Sequence, residues 1–155
     1  MKVRIIAAGK VRSGPEGVLA NSYLERFGKA GRSIGLGPAT VVEFDSGPQG
    51  RFPEQQVEQA AASRDAVLCA LDENGKRLTS SEFAECLAGW RDRGLKEAVF
   101  LIGGADGLRR DVRDRAEACL SLGQMVLPHL LARVVLAEQM YRAVSILRGT
   151  PYHRG

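Results

Sequence analysis

The feature that most constrains the fold is a strict alternation of apolar, β-branched runs with amphipathic stretches. The apolar runs predict strands at residues 2–9, 39–44, 66–71, 97–104 and 124–128. The stretches between them predict helices at residues 18–29, 53–63, 80–94, 108–119 and 129–147. Because parallel strands need long crossover connections, this order predicts an α/β fold. We expect a mainly parallel sheet of five or six strands with helices on both faces.

Local signals support this assignment. Leu19, Tyr23 and Phe27 recur every four residues, as on one face of a helix. Thr79 and Glu82 have the spacing of a capping box, in which each side chain satisfies an orphan backbone donor. The run AVLCAL at 66–71 is apolar throughout, as expected of a strand buried on both faces. Glycine and proline at 46–51 and 11–16 predict loops.

Composition excludes several classes of protein. The 155 residues are 45% hydrophobic and 26% charged, which is typical of one globular, soluble domain. No apolar run approaches the roughly 20 residues that span a bilayer, and residues 5–8 are too short for a signal-peptide core. We therefore predict a cytoplasmic protein without a membrane partner. The net charge of +4 permits an anionic partner such as RNA but does not require one.

The cysteines indicate neither a disulfide framework nor a metal centre. Cys69, Cys86 and Cys119 are odd in number, scattered and surrounded by apolar residues. There is no CxxC motif and no His/Cys cluster with metal-ligand spacing. We expect reduced, buried thiols and no metal.

Three strand ends predict where a ligand binds. In an open parallel sheet, ligands lie beyond the carboxyl ends of the strands. There the chain carries Leu71 with Asp72, Gly103 with Gly104, and the segment SLGQMVLPH. Each also has a structural alternative: the glycines suit a tight turn, and Asp72 suits a turn that bonds its own backbone. The GGxxG pattern after the fourth strand is not a dinucleotide or P-loop fingerprint.

Several of these stretches match a known family in order and spacing. LDENGKRLTSSEF, FLIGGADGL, LSLGQMVLPHLLARVVLAEQMYRA and the closing GTPYHRG resemble the motifs of SPOUT-class rRNA methyltransferases of the RlmH (YbeA) type. The match runs from near Leu71 to the end, and the opening VRIIAAGK is compatible with it.

The resemblance implies a fold, an activity and partners. It implies one minimal SPOUT domain over residues 1–155, with a C-terminal trefoil knot, acting as a homodimer. S-adenosylmethionine would be the methyl donor. The acceptor would be N3 of a pseudouridine in a hairpin loop of 23S rRNA, within the assembled 70S ribosome. Two alternatives stay open: a non-catalytic ribosome-binding or assembly factor with this fold, and a small-molecule oxidoreductase, for which the fingerprint glycines are missing.

The resemblance also implies a cofactor site. Its residues would be Leu71, Asp72, Gly103, Gly104, Leu122, Gly123, Gln124, Met125, Val126, Leu127 and Pro128. The chain departs from the family at two of them, with Gly123 in place of serine and Val126 in place of threonine. Two hydroxyl contacts are therefore missing, while contacts from the backbone remain available.

Catalytic residues are expected on the last helix and in the tail. Glu138 and Arg142 are four apart and can pair, either as a surface pair or, by the resemblance, near the active site and dimer interface. There Arg142 would contact a phosphate or the imide oxygen. In the tail, Tyr152 suits stacking on a flipped base, His153 is the candidate base or RNA contact, and Arg154 suits a phosphate.

Two hypotheses follow for surfaces that meet rRNA. The tail from residue 152 is expected to fold over the cofactor site when rRNA arrives. A basic stretch, composed of Arg109, Arg110, Arg113 and Arg115, either docks rRNA or is simply a solvated helix face. The second histidine, His129, is expected to have a structural role at the start of the last helix.

Overall fold

A computed structural model describes residues 1–11, 14–45 and 51–153. Its five strands are β1 (Lys2–Ala8), β2 (Ala39–Phe44), β3 (Ala66–Arg77), β4 (Glu97–Ile102) and β5 (Ala118–Ser121). Its five α-helices are α1 (Pro15–Gly31), α2 (Glu54–Ala62), α3 (Ser80–Asp92), α4 (Arg110–Asp114) and α5 (His129–Leu147), with a 3₁₀ turn at Arg32–Ile34. Of the predicted loops at 11–16 and 46–51, residues 12–13 and 46–50 lie outside the described residues, and the end of the first loop is wrong because α1 begins at Pro15.

The sheet has the order β2-β1-β4-β3-β5, and all four pairings are parallel. The predicted parallel α/β fold is therefore confirmed, with five strands. Since every strand points the same way, all five carboxyl ends lie at one edge of the sheet.

Helices cover both faces of the sheet, as predicted. Alternate strand residues point to opposite sides, so Ile5 packs with α1, α3 and α5 while Ile6 packs with α2 and α4. Both isoleucines and the central Phe100 are fully buried. Burying a side chain of this size contributes roughly 1.5–3 kcal/mol, so the two apolar layers hold the sheet rigidly between the helices.

The predicted fifth strand at 124–128 is wrong. The strand is β5, which begins six residues earlier, and 124–128 forms an irregular segment in which Met125 and Val126 are 82% and 83% exposed. The predicted fourth helix at 108–119 is correspondingly too long, because α4 ends at Asp114 and Ala116 closes a turn onto Arg113. Residues 118–121 are instead drawn into the sheet by pairing with β3.

The third strand is longer than the predicted 66–71 and contains an irregularity. Leu71 and Lys76 both pair with Leu120, so residues 72–75 bulge out of the ladder between them. Beyond the bulge, Arg77 pairs with Ser121. The bulge places Asp72 and its neighbours at the carboxyl edge.

Two further expectations can be compared with the structure. The capping box is present: the Glu82 amide donates to Thr79 Oγ1 at 3.2 Å, and the Thr79 amide donates to Glu82 Oε2 at 2.7 Å.

All three cysteines are free, but only Cys69 is buried, whereas Cys86 and Cys119 are half-buried. Burial raises the pKa of all three thiols, which favours their protonated form. None of the helices in the described ranges has the length and apolarity to cross a membrane.

Candidate functional site

A cleft of about 900 Å³ opens at the carboxyl edge of the sheet. Three segments form it: the bulge of β3, the loop after β4, and the segment from β5 to the start of α5. Ten of the eleven residues predicted to hold the cofactor line it, namely Leu71, Asp72, Gly103, Gly104, Leu122, Gly123, Met125, Val126, Leu127 and Pro128. Gln124 belongs to the same segment but does not line the cleft. Residues that are distant in sequence are therefore assembled at one ligand-sized site.

Asp72 is fully engaged by protein groups. Its Oδ1 accepts from the Asn74 backbone amide at 3.0 Å and from Asn74 Nδ2 at 3.3 Å, which is the predicted turn. Its Oδ2 accepts from Arg113 Nη1 at 2.9 Å. Burial alone would raise the pKa of the Asp72 carboxyl, but the Asn74 amide and the Arg113 guanidinium together hold it below its usual value. The carboxylate thus faces a cation of the protein, not a free ligand site.

Arg113 is a site residue that sequence reasoning assigned to a different role. It lines the cleft, and its Nε is buried without a partner in the described part of the chain. The hydrogen bond from Arg113 to Asp72 joins two residues that are 41 apart in sequence and lie on α4 and β3. Linear spacing carries no signal for such a contact.

The segment 122–128 forms the most exposed wall of the cleft. At its start, the Ser121 hydroxyl donates to the Gly123 carbonyl at 2.8 Å and accepts from the Gly123 amide at 3.2 Å. Gly123 has a φ of +142°, a conformation that residues with a Cβ rarely adopt. Met125 and Val126 present apolar surface beside backbone donors and acceptors. This combination suits a flat heterocycle held by main-chain hydrogen bonds.

Glu138 and Arg142 form a tight pair on α5. Arg142 Nε and Nη2 both donate to Glu138 Oε1, at 3.0 and 2.6 Å. Glu138 Oε2 accepts from Gln139 Nε2 at 2.7 Å, and the Ser80 hydroxyl donates to Gln139 Oε1 at 2.7 Å. Hydrogen bonding to Glu138 raises the pKa of Arg142, so the guanidinium stays charged. The pair is only about a quarter exposed or less, which distinguishes it from an ordinary surface pair.

The described part of the tail docks on this pair. The Tyr152 hydroxyl donates to Glu138 Oε1 at 3.1 Å, and Arg142 lies over the Tyr152 ring at 4.9 Å from its centroid. The Tyr141 ring packs edge-on against Tyr152, with centroids 4.6 Å apart. Burial and hydrogen bonds to Tyr23 and Glu138 raise the pKa of Tyr152, so it acts as a neutral donor and stacking surface. His153 Nδ1 lies 3.4 Å from Arg142 Nη1.

The structure separates the predicted catalytic residues from the cleft. Among the residues that it describes, Glu138, Arg142, Tyr152 and His153 cluster together, but none of them lines the cleft. Glu138 is nine residues beyond His129, which is about 14 Å along a helix. Arg154 lies outside the described residues. Within the described part of one chain, therefore, the residues predicted to bind the cofactor and those predicted to be catalytic form two groups.

The basic stretch is engaged in ion pairs with nearby carboxylates. Arg109 and Arg115 contact Glu54 on α2 at 3.0 and 2.8 Å. Arg110 lies 3.8 Å from Asp114, and Arg113 bonds Asp72. These contacts fasten α4 to α2 and to the cleft, which favours the structural alternative; docking of rRNA there remains a prediction.

A second cleft of about 780 Å³ lies at the opposite edge, between α1 and residues 35–41. It contains the amino ends of β1 and β2, where parallel sheets do not bind ligands. No group of three or more potential metal-ligating side chains occurs in the described ranges. The carboxyl-edge cleft is therefore the candidate site.

Comparisons with known proteins agree on one family. The family described as "Predicted SPOUT methyltransferase" matches residues 1–153. Two relatives named ribosomal RNA large subunit methyltransferase H, from Dinoroseobacter shibae and Ruegeria pomeroyi, are 56% and 50% identical over 155 residues. Each match covers 99% of this chain and 99% of the relative. A methyltransferase from Legionella pneumophila, solved with bound S-adenosylmethionine, has a TM-score of 0.52 at 12% identity, covers 92% of this chain and 66% of that chain, and supports the fold alone.

Proposed function

The chain belongs to the SPOUT methyltransferase family, with relatives named ribosomal RNA large subunit methyltransferase H, and from this premise we propose that it is an S-adenosylmethionine-dependent rRNA methyltransferase. Its acceptor is N3 of a pseudouridine in a hairpin loop of 23S rRNA, on the assembled ribosome in the cytoplasm. The observation that carries the proposal is the assembly of ten predicted cofactor residues in one cleft.

The residues of the cleft fit S-adenosylmethionine. The volume of the cleft, about 900 Å³, lies within the range of small-molecule sites, roughly 300–1,000 Å³. Met125, Val126 and Leu127 provide apolar surface for adenine, and the backbone of residues 103–104 and 122–128 provides polar contacts. Asp72 is neutralised by Arg113, so no unpaired carboxylate from this position repels the carboxylate of the methionine moiety. When bound, S-adenosylmethionine supplies an activated methyl group on its sulfonium.

The chain's main contribution to the reaction is alignment. Holding the acceptor nitrogen in line can supply roughly 7–11 kcal/mol, whereas a general base typically contributes 10²–10⁴-fold, about 3–5 kcal/mol. His153 is the candidate base for the N3 proton. Since Arg142 only donates, Nδ1 of His153 accepts in their contact, and it must leave Arg142 before it can take a proton. Arg142 is then free to contact the imide oxygen or a phosphate.

The active enzyme in this proposal is a homodimer. The separation of the cleft from the cluster of Glu138, Arg142, Tyr152 and His153 supports it. A second copy can bring its tail to the first copy's cleft, which one chain cannot do in the arrangement described. The proposal also includes a single domain over residues 1–155 and the trefoil knot of the family.

The test is mass spectrometry of 23S rRNA from a strain that lacks the gene. We expect one pseudouridine to lose its methyl group, and the wild-type gene to restore it. Restoration should fail with Arg142→Ala but succeed with Arg93→Ala, a matched change at an exposed arginine outside the basic stretch. An unchanged rRNA would contradict the proposal. Ribosome binding by the purified protein without methyl transfer would favour the non-catalytic assembly factor.

A further inference from the structure

Arg133 on α5 is the one fully buried charged residue in the described part of the chain, at 3% exposure. Its Nη1 donates to Glu43 Oε1 at 2.5 Å. Its Nη2 donates to the carbonyls of Ala8 and Gly9, at 3.2 and 2.8 Å. One guanidinium therefore joins α5 to the carboxyl ends of β1 and β2.

Stability alone does not explain this arrangement. A buried ion pair loses the solvation of both charges, and replacing one with apolar residues is often neutral or stabilising. In addition, Arg133 Nε is buried without a partner among the described residues. The contact instead fixes an orientation, because the planar guanidinium can donate to all of its acceptors in only one arrangement.

A second contact, one turn earlier on α5, fixes the same junction. The ring of His129 lies directly against Gly9, where a Cβ would come within 2.4 Å of His129 Nε2. Gly9 also has a φ of +81°, so this position suits glycine in both respects. Glu43 Oε1 further accepts from the Val11 amide at 3.1 Å, which extends the junction to the chain after β1.

This junction is one end of the cleft's exposed wall. The segment 122–128 is fixed at its start by the Ser121 hydroxyl and enters α5 at His129. Pro128, His129 and Ala132 line the cleft, and Arg133 is the next residue after Ala132 on α5. Between the two ends, Met125 and Val126 are exposed to solvent. The position of the wall therefore depends on how α5 packs against the carboxyl ends of β1 and β2.

We propose that Arg133 is a positioning residue that fixes the carboxyl end of the wall 122–128 and so sets the affinity of the cleft for its ligand. It does not touch the ligand and does not take part in methyl transfer. The identity of the ligand, S-adenosylmethionine, rests on the proposed function; the positioning of the wall does not.

The experiment compares two arginines that bind glutamates at opposite edges of the sheet. Arg133→Gln and Arg133→Lys are matched with Arg4→Gln, since Arg4 holds Glu97 through two hydrogen bonds near the amino ends of β1 and β4. Hydrogen exchange of residues 122–128 is measured in the free protein. Calorimetry gives the Kd for S-adenosylmethionine, and steady-state kinetics give kcat at saturating cofactor.

We expect Arg133→Gln to speed exchange in the wall, and to raise the Kd, by about tenfold or more each. Its kcat should stay within about twofold of wild type, and Arg133→Lys should recover part of both losses. Arg4→Gln should alter wall exchange and Kd by less than about twofold, even if it lowers Tm as much.

Equal wall exchange in Arg133→Gln and Arg4→Gln would overturn the proposal, as would a loss of kcat with unchanged Kd. If the wild-type protein does not bind S-adenosylmethionine, the proposed function fails and wall exchange alone decides the role of Arg133. If Arg133→Gln does not fold, Glu43→Gln takes its place, because it weakens the same junction from β2. The same two results would then overturn the proposal.

Discussion

The charge of the cleft is governed by residues that are remote in sequence. Asp72 is the first residue of the bulge in β3. Arg113, which lies 41 residues later on α4, donates a hydrogen bond to its carboxylate. Their pairing removes one free carboxylate from the cleft, whose lining combines apolar side chains with the exposed carboxylates Glu73 and Asp106. Gly123 adds a backbone conformation that residues with a Cβ rarely adopt.

The pairing of Asp72 makes stability depend on pH in the acid range. Because its pKa is lowered in the folded state, Asp72 stabilises the protein above its ordinary value near 4, and this contribution is lost as pH falls through the lowered value. Asp72→Asn should therefore lose less stability than wild type between about pH 5 and pH 3. Urea unfolding at several pH values measures the slope. Arg113→Gln should reduce the slope too; unchanged slopes in both variants would contradict the assignment.

A side chain at Gly123 should strain the wall of the cleft. A Cβ there meets open space, so the penalty of Gly123→Ala comes from φ alone, about 1–3 kcal/mol. The Kd for S-adenosylmethionine should rise with it, as calorimetry would show. Gly89→Ala is the control, because Gly89 is an exposed position in α3 with no neighbour within 4 Å. That change should stabilise the protein by about 0.5–1 kcal/mol; equal effects at both sites would refute the argument.

At the scale of elements, the sequence predicted four of five strands and which residues meet at the carboxyl edge, because apolar runs and strand ends are local signals. The fifth strand was misplaced because the apolar residues of QMVLP line the cleft and do not form a strand. The true strand, β5, is short and follows a charged stretch. The charged stretch at 108–119 predicts one helix, but only Arg110–Asp114 forms it. The contact of Arg133 with Glu43 spans 90 residues and has no local signature. Likewise, no pattern in the sequence indicates that the tail docks on α5.

Removing the tail tests its role as an element. Deleting residues 152–155 should abolish methylation of ribosomes while the Kd for S-adenosylmethionine stays within a few-fold, since the described tail residues do not line the cleft. Methyl incorporation and calorimetry measure the two. Tyr152→Phe is the matched control, because it keeps the ring beside Tyr141 and Arg142 but removes the bond to Glu138. Full activity of the deleted protein would disprove a role for the tail.

At the scale of the whole molecule, one rigid sheet supports two groups of predicted site residues that do not meet in the described part of the chain. The cleft depends on the carboxyl edge, and the Glu138 cluster depends on α5. Ligand binding at the cleft and the proposed assembly of the dimer are therefore expected to be separable, and each has its own measurement.

Cofactor binding should stabilise the entire fold. A ligand at 100 times its Kd adds about 2.7 kcal/mol, which in a domain of this size raises Tm by roughly 5–11 °C. Thermal unfolding with S-adenosylmethionine measures the shift, and ATP, which shares the adenosine but not the methionine, serves as the control. Equal shifts with both ligands would show that the cleft does not recognise the methionine moiety.

The bulge of β3 has a consequence for how such a protein changes over evolution. The chain leaves the ladder after Leu71 and rejoins it at Lys76, and both residues pair with Leu120. The two ends of the bulge are therefore held at one point of β5, independently of what lies between them. Substitutions at Glu73, an exposed residue of the bulge that lines the cleft, can reshape the cleft without shifting the register of the sheet, so new ligand preferences can arise here at little cost to folding.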